Sequence, residues 1–389
     1  MRNLITASIA VVTLLLGTAC SKKDKISDPA DSPVEKCSSC GELAGLQPGE
    51  KLVTLETNGK KITLIQSGSR YKLDPDLYLT DRQLAILKGE YKGDEGGRTA
   101  GPPTFIQLWP SRTVYYTLHW NLANPQVVAD AIAHWQANTN LQFVLRTNQP
   151  NFIEFKTDEN ACWSESLGMK GGLQIVNLGS ACSVSNAIHE IGHAIGLYHE
   201  LTRKDRDYYV DMNWANIRPE WVSQYQTYWE RGIPGFEIGT MDFSSIMMYG
   251  SLGGSSSFDP TVPVWTDKNG NTYAREDELS DGDIQTYNLL YNPPSISIVR
   301  LNQVRVTTPE GRGYEWEDEL QITTPFTWPW PLEIAIWVHE SHFDGSYFTH
   351  YEHVVLQPGQ TTQALGSGWQ INGSSGEDSY KRTAATVYQ

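Results

Sequence analysis

The sequence predicts an α+β protein, with strands and helices mixed through its middle and a β-rich region towards its C-terminal end. Three observations carry this. From Thr104 to about Tyr291, strand-like runs at Val114–Leu118, Leu141–Leu145 and Asn151–Lys156 are interleaved with segments of helical spacing. Asn292-Pro293-Pro294-Ser295 then interrupts the pattern as a boundary. Beyond it, residues 296–389 alternate as strands do, without a helical period, which suggests a small sandwich-like all-β domain.

Taken in order, the chain opens on a leader. Arg2 precedes an apolar run from Leu4 to Gly17 that is too short to span a bilayer as a mature helix. It ends at Leu16-Gly17-Thr18-Ala19-Cys20, followed by Ser21-Lys22-Lys23-Asp24. This resembles a bacterial lipoprotein signal, with residues 1–19 removed and Cys20 lipidated. The preferred leucine is displaced by one position, to Leu16. A membrane partner is expected through this N-terminal anchor alone, on the outer membrane or cell surface; without lipidation the protein would be periplasmic or secreted. Export puts the remaining cysteines, Cys37, Cys40, Cys162 and Cys182, in an oxidising compartment.

Residues 20–40 are rich in Ser, Lys, Asp and Pro and read as a tether. Leu52–Leu55 and Lys61–Ile65, joined through Asn58-Gly59, predict a hairpin. Thr80–Lys88 has the look of a short helix with a capped start, and a Gly-rich stretch from Gly93 to Gly101 closes the segment. Pro125–Asn138 carries Val127, Val128, Ala131, Ile132 and Trp135 at helical spacing. Ser185–Ala194 is a further helix, with Ser185 or Asn186 as its expected N-cap. The composition, 39% hydrophobic with 13 Trp and 19 Tyr, supports real cores. A net charge of -15 argues against nucleic acid as a partner, since phosphate binding needs clustered Lys and Arg.

The chemistry sits on the last of these helices. His189 and His193, at i and i+4, share one face, so both imidazoles reach one ion. Gly196 follows, and glycine adopts the left-handed conformation that ends a helix, letting the chain double back to present His199 as a third ligand. Three protein ligands with an open fourth position describe a catalytic zinc site, one Zn²⁺ per chain. Glu190 lies beside the first ligand but points elsewhere, free to act as general base on water that the metal has acidified.

His189–His199 is identified as a metzincin signature. The run that follows, His199-Glu200-Leu201-Thr202-Arg203-Lys204-Asp205-Arg206-Asp207, resembles the astacin family, as does Ser245-Ile246-Met247-Met248-Tyr249-Gly250, its Met-turn. Leu279–Ile284 and Leu289-Leu290-Tyr291 resemble the close of its catalytic domain. The resemblance implies a metzincin domain over 99–292, with a mixed sheet, an active-site helix and a lower irregular subdomain. It implies a zinc endopeptidase acting on protein or peptide substrates. Met247 would form the apolar base under the metal and Tyr249 would stabilise the oxyanion. Met248 stands where the family usually has His. A disulfide between Cys162 and Cys182 is implied too, while the cysteines of the family's second disulfide are missing.

Tyr91-Lys92-Gly93-Asp94 resembles the Phe-x-Gly-Asp switch of astacin propeptides. On that resemblance residues 41–98 form a propeptide, Asp94 binds zinc in the zymogen, and cleavage between Arg98 and Ala100 releases it. The new N-terminus would fold towards Glu200. Cys37 and Cys40 offer a competing thiolate switch, although a local disulfide is expected there. His339, His342, His350 and His353 are expected to be strand-face histidines. The alternative to a peptidase is a catalytically inert, zinc-bearing surface adhesion protein.

Overall fold

The computed structural model of the protein describes residues 46–57, 60–91, 105–235 and 237–292, and beyond them the strands between 295 and 388. The leader, Cys20, Cys37, Cys40, Asp94 and the cleavage segment lie outside the described residues, as do the side chains of the C-terminal histidines. Among the described residues no helix is long and apolar enough to cross a membrane.

The hairpin expected around Asn58-Gly59 is present as β1 (Glu50–Thr57) and β2 (Lys60–Ser67), paired antiparallel from Glu50↔Ser67 to Thr57↔Lys60. Two short strands follow, β3 (Arg70–Asp74) and β4 (Leu77–Tyr78), divided by Pro75-Asp76. Helix α1 (Asp81–Leu87) starts where the sequence indicates. Thr80 Oγ1 accepts from the Gln83 backbone N–H, and the Gln83 side chain returns to the Thr80 N–H.

The middle of the chain supplies β5 (Thr113–Leu118), α2 (Pro125–Asn138), β6 (Gln142–Leu145), β7 (Phe152–Lys156), β8 (Cys162–Ser164), β9 (Leu173–Leu178) and α3 (Val184–Ile195). Short 3-10 turns and a two-stranded ribbon, β10 (Val210–Met212) with β11 (Trp265–Asp267), fill the stretch before α4 (Asp281–Tyr291). Strands β1 to β9 form one mixed sheet in the order β1-β2-β3-β4-β8-β9-β7-β5-β6. Strand β5 runs parallel to β6 and β7, β7 runs parallel to β9, and β8 runs antiparallel to β9. The N-terminal strands join this sheet through one parallel pairing, Leu77↔Ser164. There the Ser164 N–H donates to the Asp76 carbonyl at 2.8 Å.

Helices α2 and α3 bury their apolar faces against this sheet, with Trp135, Ile153, Val176, Ile188, Ile191 and Met247 in one core. A second core joins Ile62, Leu64 and Leu77 to Phe105, Leu167, Tyr228 and Ile233. A third, beneath α3, gathers Trp221, Tyr225, Tyr249 and Trp265. Six antiparallel strands follow α4: β12 (Ser295–Thr308), β13 (Gly311–Thr323), β14 (Leu332–His342), β15 (Tyr347–Leu356), β16 (Thr362–Asn372) and β17 (Tyr380–Tyr388). They make two three-stranded sheets, ordered β12-β13-β16 and β15-β14-β17.

Candidate metal centre

Helix α3 begins earlier than its sequence suggests. Its N-cap is Ser183, not Ser185 or Asn186: Ser183 Oγ accepts from the Asn186 N–H, and the Asn186 side chain accepts from the Ser183 N–H. This reciprocal box satisfies two donors at once, which a cap at either later residue would not do. The helix is buried from Ala187 to Ile195. Trp109 and Trp135 donate their indole N–H groups to the carbonyls of Ala194 and Ile188. At the other end Gly196 takes φ +113°, and its N–H and that of Leu197 return to the Gly192 carbonyl. The reversal brings His199 back to the helix.

The three imidazoles converge, with His193 Nε2 only 3.1 Å from His199 Nε2. The outward nitrogens of the helical pair meet main-chain carbonyls. His189 Nδ1 donates to Ile246 O at 2.9 Å and His193 Nδ1 donates to Leu197 O at 2.8 Å. Those contacts fix the tautomer that turns each Nε2 lone pair inward, as metal ligation requires. The Ile246 carbonyl is itself held from α4, because the Asp283 carboxylate accepts from the Ile246 N–H at 2.8 Å and from Ser245 Oγ at 2.6 Å. Met247 packs under the helix: a Cβ on Gly192 would lie 2.7 Å from its sulfur.

The fourth member of the cluster is a residue that the sequence reading passed over. Asp76 Oδ2 lies 3.2 Å from His199 Nε2, 3.5 Å from His189 Nε2 and 4.0 Å from His193 Nε2. One ligand atom from each of Asp76, His189, His193 and His199 falls within 4.8 Å of the others, and all four residues are buried. The aspartate expected here, Asp94, is outside the described residues, and it is Asp76 that the fold brings to the histidines. The available signal was the Asp74-Pro75-Asp76 turn, where a proline without an N–H ends one strand before the next begins. Lys72 secures that turn, donating to Pro75 O at 3.1 Å while paired with Glu50 at 2.9 Å.

The donor set suits zinc, which takes His nitrogens and carboxylate oxygens: three imidazole nitrogens and one carboxylate oxygen lie within 4.8 Å of one another. Its charges point the same way. Burial alone would raise the Asp76 carboxyl, but the imidazoles of His199, His189 and His193 outweigh it and hold Asp76 well below the usual carboxylate range. Burial and the two other imidazoles push His193 well below its ordinary value. For His199 burial works towards the neutral ring, yet the carboxylates of Asp76 and Asp74 prevail and raise it to about 10. The two buried carboxylates thus favour a positive charge among the imidazoles, while His193 is held in the neutral form that a metal ligand needs.

Around the ligands, Asp74 Oδ2 lies 3.1 Å from His199 Nδ1, and the Tyr249 hydroxyl lies 2.8 Å from the same nitrogen. Asp74 Oδ1 accepts from Arg231 Nη1 at 2.7 Å. Glu190 is buried on α3 between the first two histidines. Glu200 accepts from the Asp242 N–H at 2.9 Å and pairs with Arg203 at 3.3 Å. Burial lifts its carboxyl to about 7, with Arg203 and the Asp242 N–H opposing. A cleft of about 490 Å³ borders it, lined also by Asp242, Ser280, Asp281 and Asp283. Cys162 on β8 and Cys182 before α3 are joined in a disulfide.

Residues 103–292 match the family model described as Astacin, a peptidase family. The chain is 35% identical over 195 residues to Astacin-like metalloprotease toxin 2 of Loxosceles intermedia, covering 48% of this chain and 74% of that one. It is 30% identical over 238 residues to Zinc metalloproteinase nas-4 of Caenorhabditis elegans, covering 59% and 74%. Among solved structures it is similar to High choriolytic enzyme 1, a hatching enzyme zinc-protease from Oryzias latipes, at 29% identity and a TM-score of 0.42, covering 48% and 93%. Three converging histidines with oriented outer nitrogens on a stretch matched by the family model, together with relatives 35% and 30% identical and covered to 74% of their length, identify the chain as a member of the astacin family, a zinc metallopeptidase acting on protein or peptide substrates.

Proposed function

We propose that the chain is made as a latent endopeptidase, shut by its own Asp76 and opened by removal of residues 41–98. The observation that carries this reading is the Asp76 carboxylate lying among the three histidine ligands. A carboxylate there fills the position that water and the scissile carbonyl need. Strand β4 reinforces the block, because it hydrogen-bonds to β8, the edge on which an extended substrate would otherwise add as a strand.

Zinc, when bound, supplies a Lewis acid for the scissile carbonyl and acidifies the attacking water. Glu190 takes the proton from that water and returns it to the leaving amine. The Tyr249 hydroxyl, already beside the ligand set, donates a hydrogen bond to the oxyanion once the segment carrying Asp76 has left. Met247 supports the histidines from below. After cleavage near Arg98 to Ala100 the new amine enters the acidic cleft and pairs with Glu200, taking over from Arg203. Residues 99–292 form the catalytic domain and residues 293–389 a sandwich-like β module. Export with Cys20 as a lipid anchor accords with the leader sequence.

The test uses the zinc-loaded full-length chain and an unfolded protein substrate. Asp76→Ala should cleave the substrate without processing, and Asp94→Ala should stay as latent as the wild type. Adding Glu190→Ala to Asp76→Ala should lower kcat/KM by about 10²–10⁴-fold, and a chelator should abolish the rest. A latent Asp76→Ala beside an active Asp94→Ala would return the switch to Asp94.

A further inference from the structure

The hydrogen bonding of His189 does not end at the Ile246 carbonyl, to which its Nδ1–H donates at 2.9 Å. That carbonyl shares its peptide with the Met247 N–H, which donates to Ser245 Oγ at 3.0 Å. The Ser245 hydroxyl in turn gives its own hydrogen to Asp283 Oδ1 at 2.6 Å. Every donor in this chain points the same way, from His189 through one peptide and one serine to a carboxylate on α4. Ser245 is 2% exposed and Asp283 4%, so little water competes for these bonds. Asp283 Oδ2 accepts from the Ile246 N–H at 2.8 Å and from the Ser280 N–H at 3.0 Å, so three donors converge on the carboxylate. Burial pushes this carboxyl up, and the donors oppose it. Its place in the first turn of α4 also favours the anion.

We propose that Asp283 is a positioning residue for the metal, which orients and tunes His189 through Ser245 and the Ile246–Met247 peptide. A negative charge at the end of aligned hydrogen bonds polarises each of them in turn. The Ile246 carbonyl becomes a stronger acceptor, and the ring whose Nδ1–H it holds becomes a more basic ligand at Nε2. The proton stays on Nδ1 throughout. The arrangement is a carboxylate–histidine pair stretched across a serine and a peptide. His193 donates instead to Leu197 O, and His199 meets Asp74 directly, so the effect falls on the first ligand. Neither the latent nor the processed state is needed for it, because Ser245, Met247 and Asp283 all belong to the matched domain.

The experiment uses the full-length chain and reads zinc affinity by competition with a chelating dye. Asp283→Asn keeps the shape and removes the charge, and Ser245→Ala removes the middle of the chain of bonds. Both should weaken zinc binding by about tenfold or more. Leu289→Ala, a buried site on the same helix outside that chain, should lower the melting temperature yet keep the wild-type zinc affinity. A second reading comes from the zinc-loaded chain carrying isotope-labelled histidine. The Nδ1–H proton of His189 resonates further downfield the stronger its hydrogen bond. It should move upfield in Asp283→Asn and Ser245→Ala, while that of His193 stays in place. If Asp283→Asn does not fold, Ser245→Ala decides by the same two readings. An unmoved His189 resonance overturns the inference, whatever the affinity does. Equal loss of zinc in Leu289→Ala overturns it too, because Asp283 then only holds α4 in place.

Discussion

Gly192 shows how tightly the ligand helix is seated. It lies between His189 and His193 in sequence, and a Cβ there would stand 2.7 Å from the Met247 sulfur and 3.4 Å from its methyl carbon. The helix would gain from alanine propensity, since glycine costs about 1 kcal/mol in a helix interior. Overpacking acts against this, at about 1–3 kcal/mol in a close-packed core. The methionine cannot retreat without losing its place under the histidines, so the clash prevails. Gly192→Ala should lower the melting temperature and weaken zinc binding together. The first is measured by calorimetry and the second by competition with a chromophoric chelator; unchanged zinc affinity would mean that Met247 does not support the ligands.

At the scale of elements, the Cys162–Cys182 bridge ties β8 to the start of α3 across 20 residues. A loop of that size stabilises by about 3 kcal/mol in the chain-entropy model. Because β8 is the strand on which β4 lies, the bridge ties that pairing edge to the start of the helix that carries the ligands. Replacing both cysteines by serine should cost about 2–5 kcal/mol, read from denaturant unfolding. Hydrogen exchange should quicken first in β8. Exchange that quickens uniformly over the sheet would make the bridge a global constraint rather than a local one.

At the scale of the whole molecule, strands β1–β4 share a core with the matched domain, and the proposed latency would depend on it. Leu64 on β2 is fully buried in the cluster that holds Phe105, Leu167, Tyr228 and Ile233. Gln83 adds a polar tie, donating to Leu167 O at 2.9 Å. Leu64→Ala should cost about 2–5 kcal/mol through transfer and cavity terms, and that loss falls on the layer that carries Asp76. The un-nicked variant should show more cleavage than the wild type, with faster exchange confined to β1–β4. A chain that stays fully latent despite that exchange would show that Asp76 binds without help from the layer.

Much of this was readable from the chain itself. Ligand chemistry is local: His189, His193, Gly196 and His199 are spaced by helix geometry and one left-handed residue, so the sequence alone placed them around one ion. The hairpin at β1–β2 and the capped start of α1 were legible for the same reason. What joins the histidines from afar was not. Asp76 is 123 residues from His199, and Arg231 is 157 from Asp74. Neither has a local period, and Asp94, which a short Gly-Asp motif singles out, lies outside the described residues. Among the described residues, only the tertiary structure shows that Asp76 enters the cluster, because its place depends on β4 pairing with β8 through a single bridge. The sequence by itself determined a zinc-binding peptidase; the fold determined that Asp76 lies on its metal site and that Asp74 holds the cation beside it.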